Sequence, residues 1–270
     1  MNVITFLSDF GSRSSYVAQM KGVALSIAPQ VKCIDITHEV PSYNVRNGAF
    51  ILRSAAPYFP KGTVHVAVVD PGVGTDRRGI VVITQSQIFV GPDNGLLIPA
   101  ARMFGTFFVY EIKNAEMQGK IVSNTFHGRD IFAPIAAHIL SGISFQRVGP
   151  QIQDFVDLSF SPAVRNEGIV DANVLCIDGF GNIITNVEHN QIQDVLQPGR
   201  DISLIVGKKK TSIRCAEFYG MVKPGEPLAT IGSSGYLEIN INQGNAAKVL
   251  NICAEDRLIL DFSNVQKDFS

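Results

Sequence analysis

Two kinds of apolar periodicity alternate along the first 150 residues of the chain. Short continuous apolar runs, which predict buried strands, lie at residues 3–7, 31–36, 63–69 and 107–112. Apolar residues at helical spacing predict helices over 16–27, 45–56, 96–104 and 130–140, the last capped by Asp130 and ended by Gly142. Residues 80–84 and 87–90 predict a hairpin. This alternation predicts an α/β N-terminal layered domain with a mostly parallel sheet.

The pattern changes near residue 160. Residues 159–168 have the composition of a linker, and beyond them short strand-like runs are separated by Gly, Asn and Pro turns. These runs lie at about 168–177, 182–187, 202–206, 211–216, 227–231, 236–241 and 257–262. They predict a smaller all-β C-terminal domain, either a barrel or a sandwich. We therefore predict an α/β domain over 1–160, a linker over 161–168 and a barrel-like domain over 169–270.

Composition and charge exclude several classes of protein. Hydrophobic residues make up 46% of the chain and charged residues 17%, which is typical of a globular protein rather than a disordered one. The net charge of −1 lacks the basic excess of a nucleic-acid binder. None of the four cysteines are spaced as C-x-x-C, no basic leader opens the chain, and no apolar run reaches the ~20 residues of a membrane span. We expect a soluble cytoplasmic protein without a membrane or nucleic-acid partner.

Candidate chemistry in the first domain lies just after predicted strands. Asp9 and Asp70 follow two of them, where ligands gather in α/β sheets, although an aspartate there can also serve only as a turn cap. The glycine-rich segment 70–79 matches neither a P-loop nor a dinucleotide fingerprint. His127 lies on a loop before a predicted helix, whereas His138 lies within that helix and is expected to be structural. No H-E-x-x-H motif occurs, and we predict no metal site.

Two polar turns of the second domain carry further candidates. The turn at 177–186 offers a carboxylate, an aromatic ring and an amide, from Asp178, Phe180 and Asn182, which together could hold an amino group and stack on a base. The turn at 232–238 offers hydroxyls and backbone N–H groups that could bind a carboxylate. Either turn could instead be a plain hairpin connection.

Taken together and in order, these segments resemble one family, the S-adenosyl-L-methionine (SAM) hydroxide adenosyltransferases. These are adenosine-forming SAM hydrolases, related to the SAM-dependent fluorinase and chlorinase. The segments that carry the resemblance are Ser8-Asp9-Phe10-Gly11 with Tyr16 and Lys21-Gly22, Asp70-Pro71-Gly72-Val73-Gly74-Thr75, Gly91-Pro92-Asp93-Asn94-Gly95-Leu96-Leu97, Thr125-Phe126-His127-Gly128-Arg129-Asp130, Asp178-Gly179-Phe180-Gly181-Asn182, and Ser233-Ser234-Gly235 with Glu238.

The resemblance implies hydrolysis of SAM to adenosine and L-methionine by in-line attack of an activated water or hydroxide on C5′, without a cofactor. It implies a homotrimer whose sites lie between the N-terminal domain of one subunit and the C-terminal domain of its neighbour. The hydrolase branch is marked by an Asp-Arg-His set, which matches Asp70, Arg77 and His127. The halogenating branch typically has Tyr for the aspartate and a small hydroxyl residue at the position of Gly128.

The resemblance also assigns substrate contacts. Asp9 matches the acceptor of the ribose diol, Asn182 and Phe180 match the adenine site, and Asp178 and Ser233 match positions that hold the amino-acid end. The remaining predicted substrate contacts are Gly128, Tyr219, Ser234 and Glu238.

Three alternatives stay open at this point. They are a SAM-dependent chlorinase, a non-catalytic adenosine or SAM sensor, and a metal hydrolase that uses Asp9, Asp70 and His127. Incubation with SAM and a chelator, with and without chloride, would separate them by the nucleoside that forms.

Overall fold

The computed structural model describes residues 2–263 of the chain. The chain divides into two compact units, Met1–Ser159 and Phe160–Ser270. Residues 264–270, which end the predicted C-terminal domain, lie outside the described residues, as does Met1. Among residues 2–263, no helix combines the length and the apolar character that crossing a membrane requires.

The N-terminal unit alternates strands and helices much as the apolar periodicity predicts. Its elements are β1 (Val3–Ser8), α1 (Tyr16–Ile27), β2 (Lys32–Thr37), α2 (Val45–Ala55), β3 (Val64–Val68), β4 (Gly79–Thr84), β5 (Ile88–Pro92), α3 (Ile98–Arg102), β6 (Phe107–Glu111), α4 (Ala133–Leu140) and β7 (Gln151–Ile152).

A single mixed sheet organises this unit, with the strand order β2-β1-β3-β5-β4-β6-β7. The strands from β2 to β5 pair in parallel, whereas β4 pairs antiparallel with both β5 and β6, and β6 with β7. The prediction of a mostly parallel sheet is therefore wrong for its second half. The predicted hairpin explains the difference, because the short β4–β5 connection can return the chain only in the antiparallel direction.

The core of the N-terminal unit lies on the sheet face that receives α1 and α4. Side chains of β1 and β3, including Ile4, Phe6 and Val66, pack there against Met20 of α1 and Ile135 of α4. These residues are almost fully buried, which makes the carboxyl ends of β1 and β3 a rigid base for the turns that follow them.

The helix predicted from residue 130 begins differently from the expectation. A π-helical turn over Gly128–Phe132 leads directly into α4, so Asp130 lies inside this turn and is not an N-cap. The Asp130 carboxylate instead accepts hydrogen bonds from the backbone N–H of Ser123 and from the Arg129 guanidinium. π-Helical turns are frequent at functional sites, and this one immediately follows His127.

The C-terminal unit is built mainly from strands. Its elements are β8 (Val164–Asn166), β9 (Ile169–Ile177), β10 (Ile183–Glu188), α5 (His189–Ile192), β11 (Asp201–Val206), β12 (Lys209–Cys215), β13 (Pro227–Ile231), β14 (Tyr236–Ile241), α6 (Ala246–Leu250) and β15 (Arg257–Asp261). Strand β8 falls within the range predicted as a linker, and the short helices α5 and α6 have no counterpart in the prediction.

Seven of these strands close into a barrel. The order runs β10-β14-β13-β12-β11-β15-β9, and β9 pairs with β10 to complete the ring, while β8 extends β9 on the outside. Alternate residues of β14, Leu237, Ile239 and Ile241, belong to the barrel core, so Glu238 projects from the opposite face. The barrel, as opposed to the sandwich, is confirmed.

Candidate active site

The N-terminal unit places two of the predicted site residues at one edge of its sheet. Asp9 directly follows β1 and Asp70 follows β3, and these two strands are parallel neighbours. Both carboxylates line a cavity of about 290 Å³, together with His127 and Gly128 from the segment that opens the π-helical turn. The rule that ligands gather at the carboxyl ends of parallel strands thus locates this cavity.

Arg77 joins Asp70 to His127. Its Nε donates to Asp70 Oδ1 at 3.1 Å and its Nη2 donates to Asp70 Oδ2 at 2.5 Å. The same Nη2 lies 2.8 Å from Nδ1 of His127. The Arg77 and Asp70 side chains are only 9% and 5% exposed, so solvent screens this pair weakly. Phe132 lies beneath the guanidinium, 5.4 Å away from ring centre to Cζ.

The hydrogen bond from Arg77 also defines the state of the histidine. A guanidinium can only donate, so Nδ1 of His127 is the acceptor and the hydrogen of the neutral ring resides on Nε2. Burial and the positive charge of Arg77 lower the pKa of His127 below its usual value, against the opposing carboxylates of Asp70 and Asp130. His127 is therefore neutral at pH 7.

The pKa of Asp70 shifts in the opposite direction to that of His127. Burial raises the pKa of Asp70 above its usual value, against the positive charge and the hydrogen bonds of Arg77. The paired hydrogen bonds from Arg77 nevertheless favour the ionised form, so the carboxylate stays charged at neutral pH. The result is an ionised Arg77–Asp70 pair beside a neutral imidazole. The guanidinium of this pair can stabilise a negative charge that develops next to it.

Two backbone segments meet to hold this arrangement. Gly74, in the turn that connects Asp70 to Arg77, has a left-handed φ of 78°. A Cβ atom at Gly74 would lie only 2.3 Å from the backbone oxygen of Asn124, in the segment that leads to His127. This close approach requires glycine and sets the distance between the Arg77 and His127 segments.

The cavity contains further residues that the motifs did not identify as site residues. Ser42 and Tyr43 line it from the turn after β2. The backbone N–H of Tyr43 donates to Oδ2 of Asp9 at 2.9 Å. Because this turn also follows a parallel strand of the sheet, the strand-end rule that located Asp9 could have included it.

The C-terminal unit has its own, larger cavity of about 910 Å³. It is lined by most of the residues predicted for this unit, namely Asp178, Phe180, Asn182, Tyr219, Ser233 and Glu238. Ser234 lies in the same turn as Ser233 but does not line the cavity. Glu217, Phe218 and Thr230 also line it, and no motif indicated them.

The turn at Asp178 is held by its own carboxylate. Oδ1 accepts the backbone N–H groups of Phe180 and Asn182, each at 2.9 Å, and Oδ2 accepts from Nδ2 of Asn182 at 2.9 Å. Asn182 is thereby fixed and buried, whereas the ring of Phe180 is 80% exposed. An immobilised amide beside an exposed ring is suited to reading and stacking on a flat heterocycle.

The charge of this cavity favours a cation. Three carboxylates, those of Asp178, Glu217 and Glu238, line it, and no Lys or Arg appears among its described lining residues. Burial and the neighbouring Asp178 raise the pKa of Glu238 above its usual value. Burial, followed by the charges of Glu238 and Asp178, likewise raises the pKa of Tyr219.

The fold and the two cavities define a class of protein, a two-unit chain with an Asp-Arg-His cluster in a mixed α/β unit and an acidic cavity in a β-barrel unit. Comparison with known proteins specifies the family. Residues 4–149 match the SAM hydroxide adenosyltransferase N-terminal domain, and residues 172–259 match the corresponding C-terminal domain. The chain belongs to the SAM hydroxide adenosyltransferase family.

Named relatives and solved structures agree with this membership. The chain is 39% identical to a protein of Salinispora tropica named (R)-S-adenosyl-L-methionine hydrolase, over 94% of this chain and 96% of the relative. A Thermus thermophilus protein of the same name is 36% identical, over 93% of this chain and 96% of the relative. A fluorinase of Actinopolyspora mzabensis is 26% identical, over 93% of this chain and 94% of the relative. A structure of an uncharacterized conserved protein from Thermotoga maritima matches with a TM-score of 0.91 and 39% identity, over 96% and 99% of the two chains.

Proposed function

We propose that this chain is an enzyme that hydrolyses SAM to adenosine and L-methionine. The observation that carries the proposal is the hydrogen-bonded Asp70, Arg77 and His127 cluster beside the cavity that holds Asp9. Relatives that are 35–39% identical over nearly the whole chain are named (R)-SAM hydrolases. We extend the proposal to the R configuration at sulfur.

The chemistry needs a nucleophile more than it needs an activated leaving group. A sulfonium leaves as neutral methionine, whereas free hydroxide is only about 10⁻⁷ M at pH 7 because water has a pKa of roughly 15.7. Arg77 stabilises hydroxide through its charge, and the Nε2–H of neutral His127 donates a hydrogen bond to it. Since Nδ1 already accepts from Arg77, His127 orients the attacking water through Nε2–H, and the proton that this water loses is released to solvent. Asp70 holds the guanidinium in place.

The substrate contacts follow the division of the chain into two units. Asp9 accepts the two ribose hydroxyls, and Gly128, which lines the same cavity, contacts the substrate through its backbone. Close packing favours glycine at this position, because an added Cβ would lie 2.9 Å from Sδ of Met20. In the C-terminal unit, Asn182 reads the edge of adenine while Phe180 and Tyr219 contact its faces. The amino-acid end is held by Asp178, Ser233 and the backbone of Ser234, with Glu238 beside the positive charges of SAM. No cofactor takes part.

We also propose that three subunits assemble into a homotrimer, each site using the N-terminal unit of one subunit and the C-terminal unit of its neighbour. The division of the predicted ligand contacts between two separate cavities supports this assembly. The remaining parts of the proposal are a layered arrangement of helices about the N-terminal sheet, domain limits at 1–160, 161–168 and 169–270, and a cytoplasmic location.

The reaction is tested by following the oxygen atom. Purified protein is incubated with each sulfur epimer of SAM in ¹⁸O-labelled water, with chelator, and with and without chloride. We expect adenosine labelled at its 5′ oxygen, unlabelled methionine and preference for the R epimer. A main product of 5′-chloro nucleoside, or no cleavage of either epimer, would refute the proposed function.

Mixing two inactive variants tests the shared site. Asp70→Ala chains retain an intact C-terminal half-site, and Asn182→Ala chains retain an intact N-terminal one. Random mixing into trimers should restore about a quarter of the sites, measured as adenosine formation. The control is a mixture of Asp70→Ala with Arg77→Ala, whose defects lie in the same half-site and cannot complement. Absence of recovery despite demonstrated subunit exchange would argue against a shared site.

Gly74→Ala should reduce turnover by separating the two segments of the cluster. The added Cβ would collide with the backbone oxygen of Asn124, so Arg77 and His127 should move apart and kcat should fall at least about tenfold. Gly105→Ala is the matched control, because Gly105 has a similar φ of 83° but no atom within 4 Å of its added Cβ. That variant should lose roughly 1 kcal/mol of stability and retain its kcat. Equal kcat values in both variants would contradict this role of Gly74.

A further inference from the structure

A chain of hydrogen bonds outside the catalytic cluster ends at the turn that carries Asp9. Oγ of Ser8 lies 2.7 Å from Nδ1 of His38. Nε2 of His38 lies 2.9 Å from Oδ1 of Asp35, and Oδ2 of Asp35 accepts from Nζ of Lys21 at 2.5 Å. This series of hydrogen bonds connects α1, β2 and the end of β1. None of its four residues lines either cavity.

The carboxylate of Asp35 sets the direction of the hydrogen bond that it forms with His38. Although partial burial raises the pKa of Asp35, hydrogen bonds from Lys21 and His38 outweigh it and hold that pKa below its usual value. An ionised Asp35 can only accept, so Nε2 of His38 donates to it, while Nδ1 of the same ring forms the hydrogen bond with the Ser8 hydroxyl. Oγ of Ser8 in turn accepts the backbone N–H of Phe10 at 3.3 Å.

The backbone of His38 holds the same turn. The carbonyl oxygen of His38 accepts from the N–H of Gly11 at 2.7 Å. Side chain and main chain of one residue thus bind both ends of the turn Ser8-Asp9-Phe10-Gly11. Ser8 is fully buried, and the His38 side chain is only 10% exposed. Since water does not reach Ser8, losing the imidazole would leave its hydroxyl without that partner.

Asp9 lies at the centre of this turn. Its Oδ2 accepts from the N–H of Tyr43 at 2.9 Å. A carboxylate that must accept two neighbouring hydroxyls works only within a narrow range of positions. The turn that His38 holds therefore sets how well Asp9 meets a ribose diol.

We propose that His38 is a positioning residue, which orients Asp9 for the ribose diol through Ser8 and the carbonyl contact to Gly11. The inference deepens the proposed function and rests on it for the role of Asp9. His38 lines neither cavity, so its replacement should raise the KM for SAM and leave kcat at saturating SAM within about twofold.

The test separates positioning from general damage by using a ligand without the diol. Calorimetry measures the binding of adenosine and of 2′,3′-dideoxyadenosine to the wild type, His38→Leu, His38→Gln and Ser8→Ala. We expect adenosine to bind about tenfold more weakly to His38→Leu and Ser8→Ala, and dideoxyadenosine to bind all four proteins alike. His38→Gln, which retains a donor and an acceptor, should restore most of the affinity. His138→Leu, a histidine replacement within α4, is the control that should change neither ligand.

Two results would overturn the proposal. An unchanged adenosine affinity in both His38→Leu and Ser8→Ala would show that the chain does not position Asp9. An equal loss for adenosine and dideoxyadenosine would show that His38 only stabilises the fold. Neither readout needs turnover, so a diol-specific loss in a protein that fails to cleave SAM would refute the proposed reaction and retain the positioning role.

Discussion

Arg77→Ala should lower kcat for SAM hydrolysis by roughly 10²–10³-fold, with little change in SAM affinity. The variant removes the charge that stabilises hydroxide and leaves the buried Asp70 carboxylate without its partner. Steady-state kinetics and calorimetry with SAM separate the two quantities. Arg78→Ala is the matched control, because the neighbouring Arg78 pairs with Asp93 instead and should affect stability more than kcat.

His127 extends this prediction to pH and to the double variant. His127→Ala should also lower kcat, and the loss in Arg77→Ala/His127→Ala should be smaller than the product of the two single losses, because both residues serve one nucleophile. Protonation of His127 beside Arg77 should abolish the active form. Since the pKa of His127 lies below its usual value, kcat should be constant near pH 7 and fall only below about pH 6.5. A double-variant loss in kcat equal to the product of the two single losses would show that Arg77 and His127 act independently.

A second large effect is expected on stability in acid. His65 is fully buried in β3, with Nδ1 2.7 Å from the Thr5 hydroxyl and its ring stacked on Phe89 at 4.9 Å. Burial lowers the pKa of His65 to about 4. The unfolded chain, with a histidine pKa near ~6.5, binds this proton more readily than the native state. Stability should therefore fall by roughly 3 kcal/mol as the pH drops from about 6.5 to about 4.

The variant His65→Gln tests this acid sensitivity. Glutamine retains a polar partner for Thr5 but cannot gain a proton, so its free energy of unfolding should change less between pH 7 and pH 4 than that of the wild type. Urea unfolding followed by circular dichroism at several pH values measures the difference, and His189→Gln, at an exposed position, is the control. Equal acid slopes in the wild type and His65→Gln would show that His65 is not the responsible group.

The helices and strands of the N-terminal unit were largely predictable, because the spacing of apolar residues within each element shows which of its residues face the core. The ranges of α1, α2 and β3 agree with their patterns to within a residue or two. The pairing of the strands was harder to predict from the sequence. Whether β6 joins in parallel or antiparallel depends on the path of the chain after the β4–β5 hairpin, which no local pattern contains. The π-helical turn before α4 was also not predicted, because the sequence around Asp130 resembles an ordinary helix N-terminus.

The candidate site divides along the same line. The motifs by themselves determined the family and the residue types of the site, since short ordered segments carry them, and the change in apolar pattern near residue 160 indicated the two-part organisation. Only the tertiary structure brings Arg77 within 2.8 Å of His127, fifty positions away, and thereby assigns the acceptor nitrogen of the ring. It alone also places His38 against Ser8, because β2 lies beside β1 in the sheet. Local sequence specifies which groups exist, whereas their distances and hydrogen-bond directions arise from long-range strand order and close packing.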